Sequence, residues 1–159
     1  MMTDESRRKI MQAVRSTDTA PELFVRRLLH ARGYRFRLHR KDLPGSPDIV
    51  FPGRRKVIFV HGCFWHGHTC RRGARIPKTN ALYWSRKVSK NQIRDQMAVT
   101  ALEAMGWECL VLWECELTKT RYDVVFIEVE NFLEGRPSDI APRIRRMTRR
   151  RAPRRGFRS

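Results

Sequence analysis

Thiol and imidazole side chains lie close together in one short segment, residues 57–70 (VIFVHGCFWHGHTC). Cys63, His66, His68 and Cys70 are soft or borderline ligands, and four such ligands arranged tetrahedrally suit Zn²⁺. The two cysteines stand further apart than in common zinc ribbons, so a hydrophilic loop with two incidental thiols is the alternative. We predict a zinc-binding loop.

A fourth ligand can come from Cys109 or Cys115, which share one face of the strand predicted over residues 107–115. At about 3.3 Å per residue they lie roughly 20 Å apart, so one ion cannot bind both. Cys109 alternates with core residues, whereas Cys115 ends the strand where a loop can reach it, so we predict Cys115 as the ligand. Either His66 or His68 is then left free for chemistry.

A hydrolytic centre is predicted where two strands meet. Phosphodiester cleavage uses a Lewis-acid metal and a group that moves the proton of water, and Mg²⁺ prefers carboxylates. Asp48 begins one predicted strand and His61 ends the next, but residues 59–61 lack the acid and lysine of the PD…(D/E)xK nuclease pattern. Glu22 is a further candidate acid, although Thr19 and Glu22 also fit a helix-capping box.

Large aromatic residues stand among the predicted ligands. Phe64 and Trp65 either form a small core under the metal or insert between base pairs of DNA. Trp84, at the start of a long helix, can equally stack on a base or pack against its neighbours. The sequence leaves both alternatives open.

The elements that position these residues alternate between helices and strands. Helices are predicted over 4–15, 19–33, 80–105 and 121–133, and strands over 34–38, 48–51, 56–61 and 107–113. This order indicates a single α/β domain over 1–140, with helices on both sides of a small, buried sheet. On the long helix we predict a buried apolar stripe of Ile93, Met97, Ala101 and Ala104, with Lys87, Lys90 and Arg94 on other faces as candidate DNA contacts.

The charge of the chain indicates a polyanionic partner. Its 34 Lys+Arg and 16 Asp+Glu residues give a formal net charge of +18. Nine arginines lie in residues 141–159, which we predict to be a disordered tail that acts either as a solubilising end or as a phosphate clamp. With no secretory or membrane signal apparent, we expect a cytoplasmic protein whose cysteines bind metal rather than form disulfides.

These motifs resemble the very short patch repair (Vsr) family of mismatch endonucleases. Four segments in register carry the resemblance: Asp18-Thr19-Ala20 with Glu22, Leu43-Pro44-Gly45 with Pro47-Asp48, residues 57–70, and Trp113-Glu114-Cys115. The resemblance implies a central mixed sheet flanked by helices, similar to type II restriction endonucleases, with a structural zinc loop. It also implies Mg²⁺-dependent nicking 5′ to the thymine of T·G mismatches that arise from deamination of 5-methylcytosine.

Residue roles follow from the resemblance by position. It implies the catalytic residues Asp48, His66, His61 and Glu22, with Mg²⁺ on Asp48 and on the backbone carbonyl of Val60. It implies Zn²⁺ on Cys63, His68, Cys70 and Cys115. It implies DNA contacts by Met11, Phe64, Trp65 and Trp84.

One departure from the family pattern concerns Val60, where a threonine is expected. A ligand is lost only if the threonine hydroxyl, rather than the backbone carbonyl, binds the metal. An inactive zinc-stabilised DNA-binding module is therefore an alternative, as is a nuclease with a different site preference. We expect a nucleoid-associated monomer that binds T·G-mismatched duplex DNA and possible mismatch-repair proteins, with no membrane association.

Overall fold

The computed structural model describes residues 5–6 and 17–137. Of the helix predicted over 4–15, only Glu5 and Ser6 are described, and both are helical. Met11 and the tail at 141–159 lie outside the described residues. Within the described part no helix is long and apolar enough to cross a membrane.

The described elements alternate much as the sequence predicts. The helices are α1 (Ala20–Ala31), α2 (Ala81–Ala104) and α3 (Tyr122–Glu134), and the strands are β1 (Arg37–Leu38), β2 (Ile49–Phe51), β3 (Lys56–His61) and β4 (Glu108–Trp113). The strand predicted over 34–38 is thus shorter than expected. Residues 62–80 form a long irregular segment, and a short turn over Glu114–Glu116 follows β4.

The four strands form one mixed sheet in the order β1-β2-β3-β4. The pairs β1–β2 and β2–β3 are antiparallel, whereas β3 and β4 are parallel and are joined through α2. In the parallel pair His61 lies opposite Trp113. The predicted mixed sheet flanked by helices is confirmed.

Side chains alternate between two apolar cores because successive residues of a strand point to opposite faces. Ile58, Leu110 and Leu112 join the core that contains α1 and α3. Val57 and Val111 join the core that contains Val99 and Leu102 of α2. Each core has buried members, so the sheet is covered on both sides.

The apolar stripe predicted on α2 is wrong. Ile93 is 62% exposed and Met97 67% exposed, and Ala104 is exposed too. The buried residues of α2 are Ala98, Val99 and Leu102. The helix therefore turns a different face to the sheet.

Two glycines allow α2 to lie close to the loops that carry the candidate site. Gly45 has φ +74°, and a Cβ there would lie 2.6 Å from the Cβ of Ala98. Gly67 has φ +62°, and its Cβ would lie 2.7 Å from Cγ1 of Val88. A larger residue at either position would force the loop away from α2 and strain its own backbone.

Candidate active site and metal cluster

Three residues of the loop after β3 meet one residue from the turn after β4. The ligand atoms of Cys63, His68, Cys70 and Cys115 all lie within 4.8 Å of one another, and we call these residues the thiolate cluster. Sγ of Cys115 lies 3.5 Å from Nδ1 of His68. Donors of a tetrahedral zinc site stand about 3.5–3.8 Å apart at the usual bond lengths. The set therefore fits a four-coordinate ion of the zinc type.

Backbone amides donate hydrogen bonds to two sulfur atoms of this cluster. The N–H of Gly73 donates to Sγ of Cys70, and the N–H of Cys115 donates to Sγ of Cys63, both at 3.4 Å. Burial alone would raise the pKa of Cys70, but the Gly73 amide, with His68 and Cys63, lowers it to about 6. At least one thiolate ligand is thus available at neutral pH.

Cys109 lies away from the thiolate cluster. It is partly buried against the core on the α2 side of the sheet. Burial raises the pKa of its thiol to about 12, so it stays protonated. The structure thus places Cys115 in the thiolate cluster and Cys109 against the core.

Asp48 lies just before β2, and its side chain is hydrogen-bonded to the backbone of β3. Its Oδ2 accepts a hydrogen bond of 2.7 Å from the backbone N–H of Val60, the residue before His61. Burial raises the pKa of Asp48 to about 6, although the hydrogen bond from Val60 lowers it. The nearby charge of Glu22 adds to the rise. The site therefore holds a carboxylate that a cation would stabilise in its ionised form.

Glu22 is buried beside a guanidinium group. It is 1% exposed, accepts a short hydrogen bond from Arg26, and lies 2.9 Å from Nε2 of His39. Arg26 also donates to Asp18 at 2.6 Å. We call Asp18, Glu22 and His39 the guanidinium-filled group because Arg26 lies among their ligand atoms.

The capping box considered for Thr19 and Glu22 is wrong. Thr19 precedes α1 but makes no side-chain capping bond. Arg26 and His39 satisfy the Glu22 carboxylate instead, and the sequence did not single out either residue for this role. Glu22 nonetheless lies close enough for its charge to raise the pKa of Asp48.

His61, His66 and Asp95 form a second set of potential ligands, which we call the histidine group. The rings of His61 and His66 are stacked, with centroids 3.8 Å apart and planes 5° from parallel. Nδ1 of His66 lies 2.5 Å from Oδ2 of Asp95 on α2. Burial, and then the charge of His66, lowers the pKa of His61 to about 3, so His61 is neutral across the physiological range.

Asp95 is the functional candidate that the sequence argument missed. Burial opposes its ionisation most strongly, but the hydrogen bond from His66, together with the charges of His66, His61 and Arg94, keeps the pKa of Asp95 below its ordinary value. Its position can be found from helical spacing, because Asp95 lies on the inward face of α2. That face consists of Val88, Asn91, Asp95, Ala98, Val99 and Leu102. A search for apolar residues alone passes over this face because two of its members are polar.

The aromatic residues of the loop pack against the start of α2. Phe64, Trp65 and Trp84 form a triangle of edge-on contacts, with centroids 5.1 to 6.1 Å apart. Nζ of Lys87 lies 5.8 Å from the ring centroid of Trp65. All three rings remain partly exposed, so they form a small cluster that solvent, or a partner, still reaches.

The other predicted DNA contacts on α2 are accessible. Lys90 and Arg94 are exposed, whereas Lys87 is half-buried. Arg94 donates to Oδ1 of Asn91 at 3.1 Å, and Asn91 in turn donates to the backbone carbonyl of Trp65. The basic side chains of α2 are thus connected to the aromatic loop.

Trp113 lies between the thiolate cluster and the histidine group. Its ring stacks on His68 with centroids 4.3 Å apart and lies edge-on to His61 at 5.3 Å. The ring of His66 is 6.5 Å away. One indole ring therefore contacts a cluster ligand and a histidine of the other group.

Fold and site together define a restriction-endonuclease-like α/β domain with a Cys3His cluster that could hold a metal ion. A sequence model described as DNA mismatch endonuclease Vsr matches residues 1–72. The chain is 61% identical over 117 residues to the type II nicking enzyme V.XorIIP of Xanthomonas oryzae pv. oryzae, covering 74% of this chain and 85% of the relative. It is 42% identical over 112 residues to the DNA mismatch endonuclease Vsr of Escherichia coli, covering 70% and 71%. The chain belongs to the Vsr family of DNA mismatch endonucleases.

Proposed function

We propose that this protein nicks one strand of duplex DNA on the 5′ side of the thymine in a T·G mismatch. The observation that carries a hydrolytic role is the His66–Asp95 pair beside the buried carboxylate of Asp48. Membership of a family of DNA mismatch endonucleases supports a mismatched base pair as the target, and the basic charge of the chain favours a nucleic-acid substrate. As a DNA-repair enzyme, it would act on the chromosome in the cytoplasm.

His66 is the proposed base that activates water. Asp95 fixes its tautomer, because a proton on Nδ1 that is donated to Asp95 leaves Nε2 as the acceptor. His61, neutral and stacked on His66, holds the ring in place and supports proton transfer near the phosphate. Asp95 is a positioning residue in this scheme.

Asp48 is the proposed ligand of a catalytic divalent ion, which we take to be Mg²⁺. Bound there, the ion would polarise the scissile phosphate and stabilise the charge that develops on it. Mg²⁺ commonly binds one or two carboxylates and completes its shell with water and phosphate oxygens, so one buried carboxylate fits. The Val60 N–H fixes one oxygen of Asp48 through the backbone, an interaction that valine retains.

The thiolate cluster is the proposed structural zinc site. Four protein donors leave no open position for a reacting water, and the donor set is that of structural zinc. Its ligands join the loop after β3 to the turn after β4. Zinc would therefore fix the loop that carries His66.

DNA contacts are proposed for the aromatic triangle and the basic face of α2. Phe64, Trp65 and Trp84 offer apolar rings that can insert beside the mismatch, and Lys87, Lys90 and Arg94 can neutralise phosphates. Met11, outside the described residues, is proposed to insert from the other groove. Mismatch-repair proteins are proposed partners of a monomeric enzyme.

The test is nicking of end-labelled duplexes that differ only in one base pair, T·G against T·A, with Mg²⁺ present. The wild type should cut the thymine strand of the T·G duplex alone, and Asp48→Asn should lose activity by at least about 10²-fold while it still binds the duplex. Asp123→Asn, on the exposed first turn of α3, is the matched control and should retain activity.

Each alternative gives a different pattern in the same assay. Binding without cleavage by the wild type would favour the inactive module. Cleavage that does not depend on the mismatch would favour a nuclease with another site preference. Full activity of Asp48→Asn would refute the role of Asp48.

A further inference from the structure

Two groups of described residues outside the thiolate cluster bring three potential ligand atoms within 4.8 Å of one another. One is the guanidinium-filled group, and the other is the histidine group. Both combine imidazole with carboxylate, the ligand types that borderline transition metals accept. The two groups differ in what already lies among their ligands.

In the guanidinium-filled group a cation is already present. Arg26 donates to Asp18 and Glu22, and its Nη2 lies 2.7 Å from Nε2 of His39. A metal ion would have to displace this guanidinium from the buried carboxylate of Glu22. The group is therefore closed to a second cation.

The histidine group contains no such cation. Asp95 pairs with His66, and among the described residues no Lys or Arg nitrogen lies within 4.0 Å of the Asp95 carboxylate oxygens. The neighbouring Arg94 donates to Asn91 instead. The side chains of His66 and Asp95 are 20% and 14% exposed, which leaves a path for an ion from solvent.

We propose that the histidine group is a second transition-metal site, which takes Zn²⁺ or a similar borderline ion through His61, His66 and Asp95. Two imidazoles and one carboxylate form a common set for such ions, and water can complete the shell. The site is distinct from the thiolate cluster and from the carboxylate proposed for Mg²⁺. It is an inhibitory site, and that part of the inference rests on the proposed function.

Inhibition follows from the ring geometry. Parallel rings 3.8 Å apart present their nitrogens side by side, so they cannot both point at one ion without a turn of one ring. His66 is the less buried ring, and within the described part of the chain its side chain is hydrogen-bonded to Asp95. An ion held by Asp95 and Nδ1 of His66 would replace the hydrogen bond between them and leave the ring proton on Nε2, the nitrogen that must accept a proton from water.

The direct test counts zinc ions on the full-length protein without DNA or Mg²⁺. After equilibrium dialysis against Zn²⁺, elemental analysis should find two ions per chain in the wild type and one in Asp95→Asn. The affinity of the second ion should fall at least about tenfold in the variant. Asp18→Asn is the matched control, because it makes the same change in the guanidinium-filled group, and it should keep two ions.

Co²⁺ provides an independent readout. Thiolate-to-metal charge-transfer bands report the thiolate cluster, whereas an ion bound to nitrogen and oxygen adds only weak visible bands. The second equivalent should add visible bands without further charge transfer in the wild type and should not do so in Asp95→Asn or His66→Gln. One ion per chain in the wild type, or a second ion retained by both variants, would overturn the proposal.

Activity is measured separately, so that the two proposals can fail independently. Excess Zn²⁺ should inhibit Mg²⁺-dependent nicking with the midpoint found for the second binding event. Nicking that persists with both sites filled would overturn the inhibitory role. If the protein binds two ions but never nicks, the proposed function fails and the metal site stands.

Discussion

The thiolate cluster and the histidine group both contact the indole ring of Trp113, yet they are assembled in different ways. The thiolate cluster takes three of its four ligands from residues 63–70, and Cys115 is added by the turn after β4. The histidine group takes one residue each from β3, the loop and α2. The first is mainly a product of local sequence, whereas the second exists only when α2 packs beside the loop.

This difference has consequences for stability and for chemistry. Soft ligands that close around an ion stabilise the fold directly, because an unfolded chain does not preform the site. A hydrogen-bonded His–Asp pair contributes little to folding but sets where a proton can go. We therefore expect substitutions in the thiolate cluster to change stability first and substitutions in the histidine group to change the rate first.

The largest expected effect is on folding. Cys115→Ser removes one thiolate ligand and should lower the unfolding free energy by several kcal/mol, since structural zinc contributes on the order of 10 kcal/mol to small sites. Cys109→Ser is the matched control, because that thiol only packs against the α2-side core. Thermal unfolding and zinc content measure both. A mild Cys115→Ser and a severe Cys109→Ser would reverse the assignment.

The next effect is on catalysis. His66→Ala removes the proposed base and should slow nicking by about 10²- to 10⁴-fold, while the zinc of the thiolate cluster and the melting temperature stay nearly unchanged. His30→Ala, an exposed histidine on α1, is the control and should keep wild-type rates. Single-turnover nicking at saturating enzyme gives the rate of the chemical step. Loss of the zinc of the thiolate cluster in His66→Ala would contradict the division between the two regions.

A smaller effect should show whether the two regions act independently. Trp113 contacts His68 and His61, so Trp113→Leu should loosen both rings and slow nicking by roughly tenfold, about 1.4 kcal/mol in the barrier. Trp113→Phe keeps an aromatic ring and should recover most of the rate. Affinity for the duplex and the zinc of the thiolate cluster should stay unchanged in both variants. Equal nicking rates in the wild type, Trp113→Leu and Trp113→Phe would show that Trp113 does not couple the thiolate cluster to the histidine group.

The sequence predicted the parts of the molecule that local pattern determines. β3 and α2 were predicted within a residue at each end, because alternation, turns and helix ends leave clear signals. The two-sided burial of the sheet follows from its short apolar strands. For the thiolate cluster, local pattern leaves the choice between His66 and His68 open; the family resemblance implies His68, and the structure brings Cys63, His68, Cys70 and Cys115 together.

What the sequence could not supply depends on tertiary packing. The orientation of α2 is set by Asn91 and Asp95 as well as by apolar residues, so the helix turns Ile93 and Met97 to solvent. Likewise, Glu22 is satisfied by Arg26 and His39 rather than by a local capping box. These contacts join residues whose pairing no local periodicity encodes.

The smallest expected effect is on the pH dependence of stability. Because burial raises the pKa of Asp48 to about 6, ionisation of this carboxyl above that pH costs folding free energy. The stabilisation is complete below the ordinary pKa of 3.8 and is lost as the pH rises from there through about 6. Asp48→Asn, which cannot ionise, should therefore be more stable than the wild type at pH 7.5, by an amount on the order of 1 kcal/mol, since solvent reduces the full effect.

Thermal unfolding between pH 4 and 8 in Mg²⁺-free buffer tests this expectation. The difference between the two proteins should amount to a few degrees at pH 7.5 and should vanish near pH 4, where both side chains are neutral. Adding Mg²⁺ should narrow the difference at pH 7.5, because a cation stabilises the ionised carboxylate of the wild type alone. A variant that is less stable at every pH would mean that the hydrogen bond from Val60 to the carboxylate outweighs the cost of its burial.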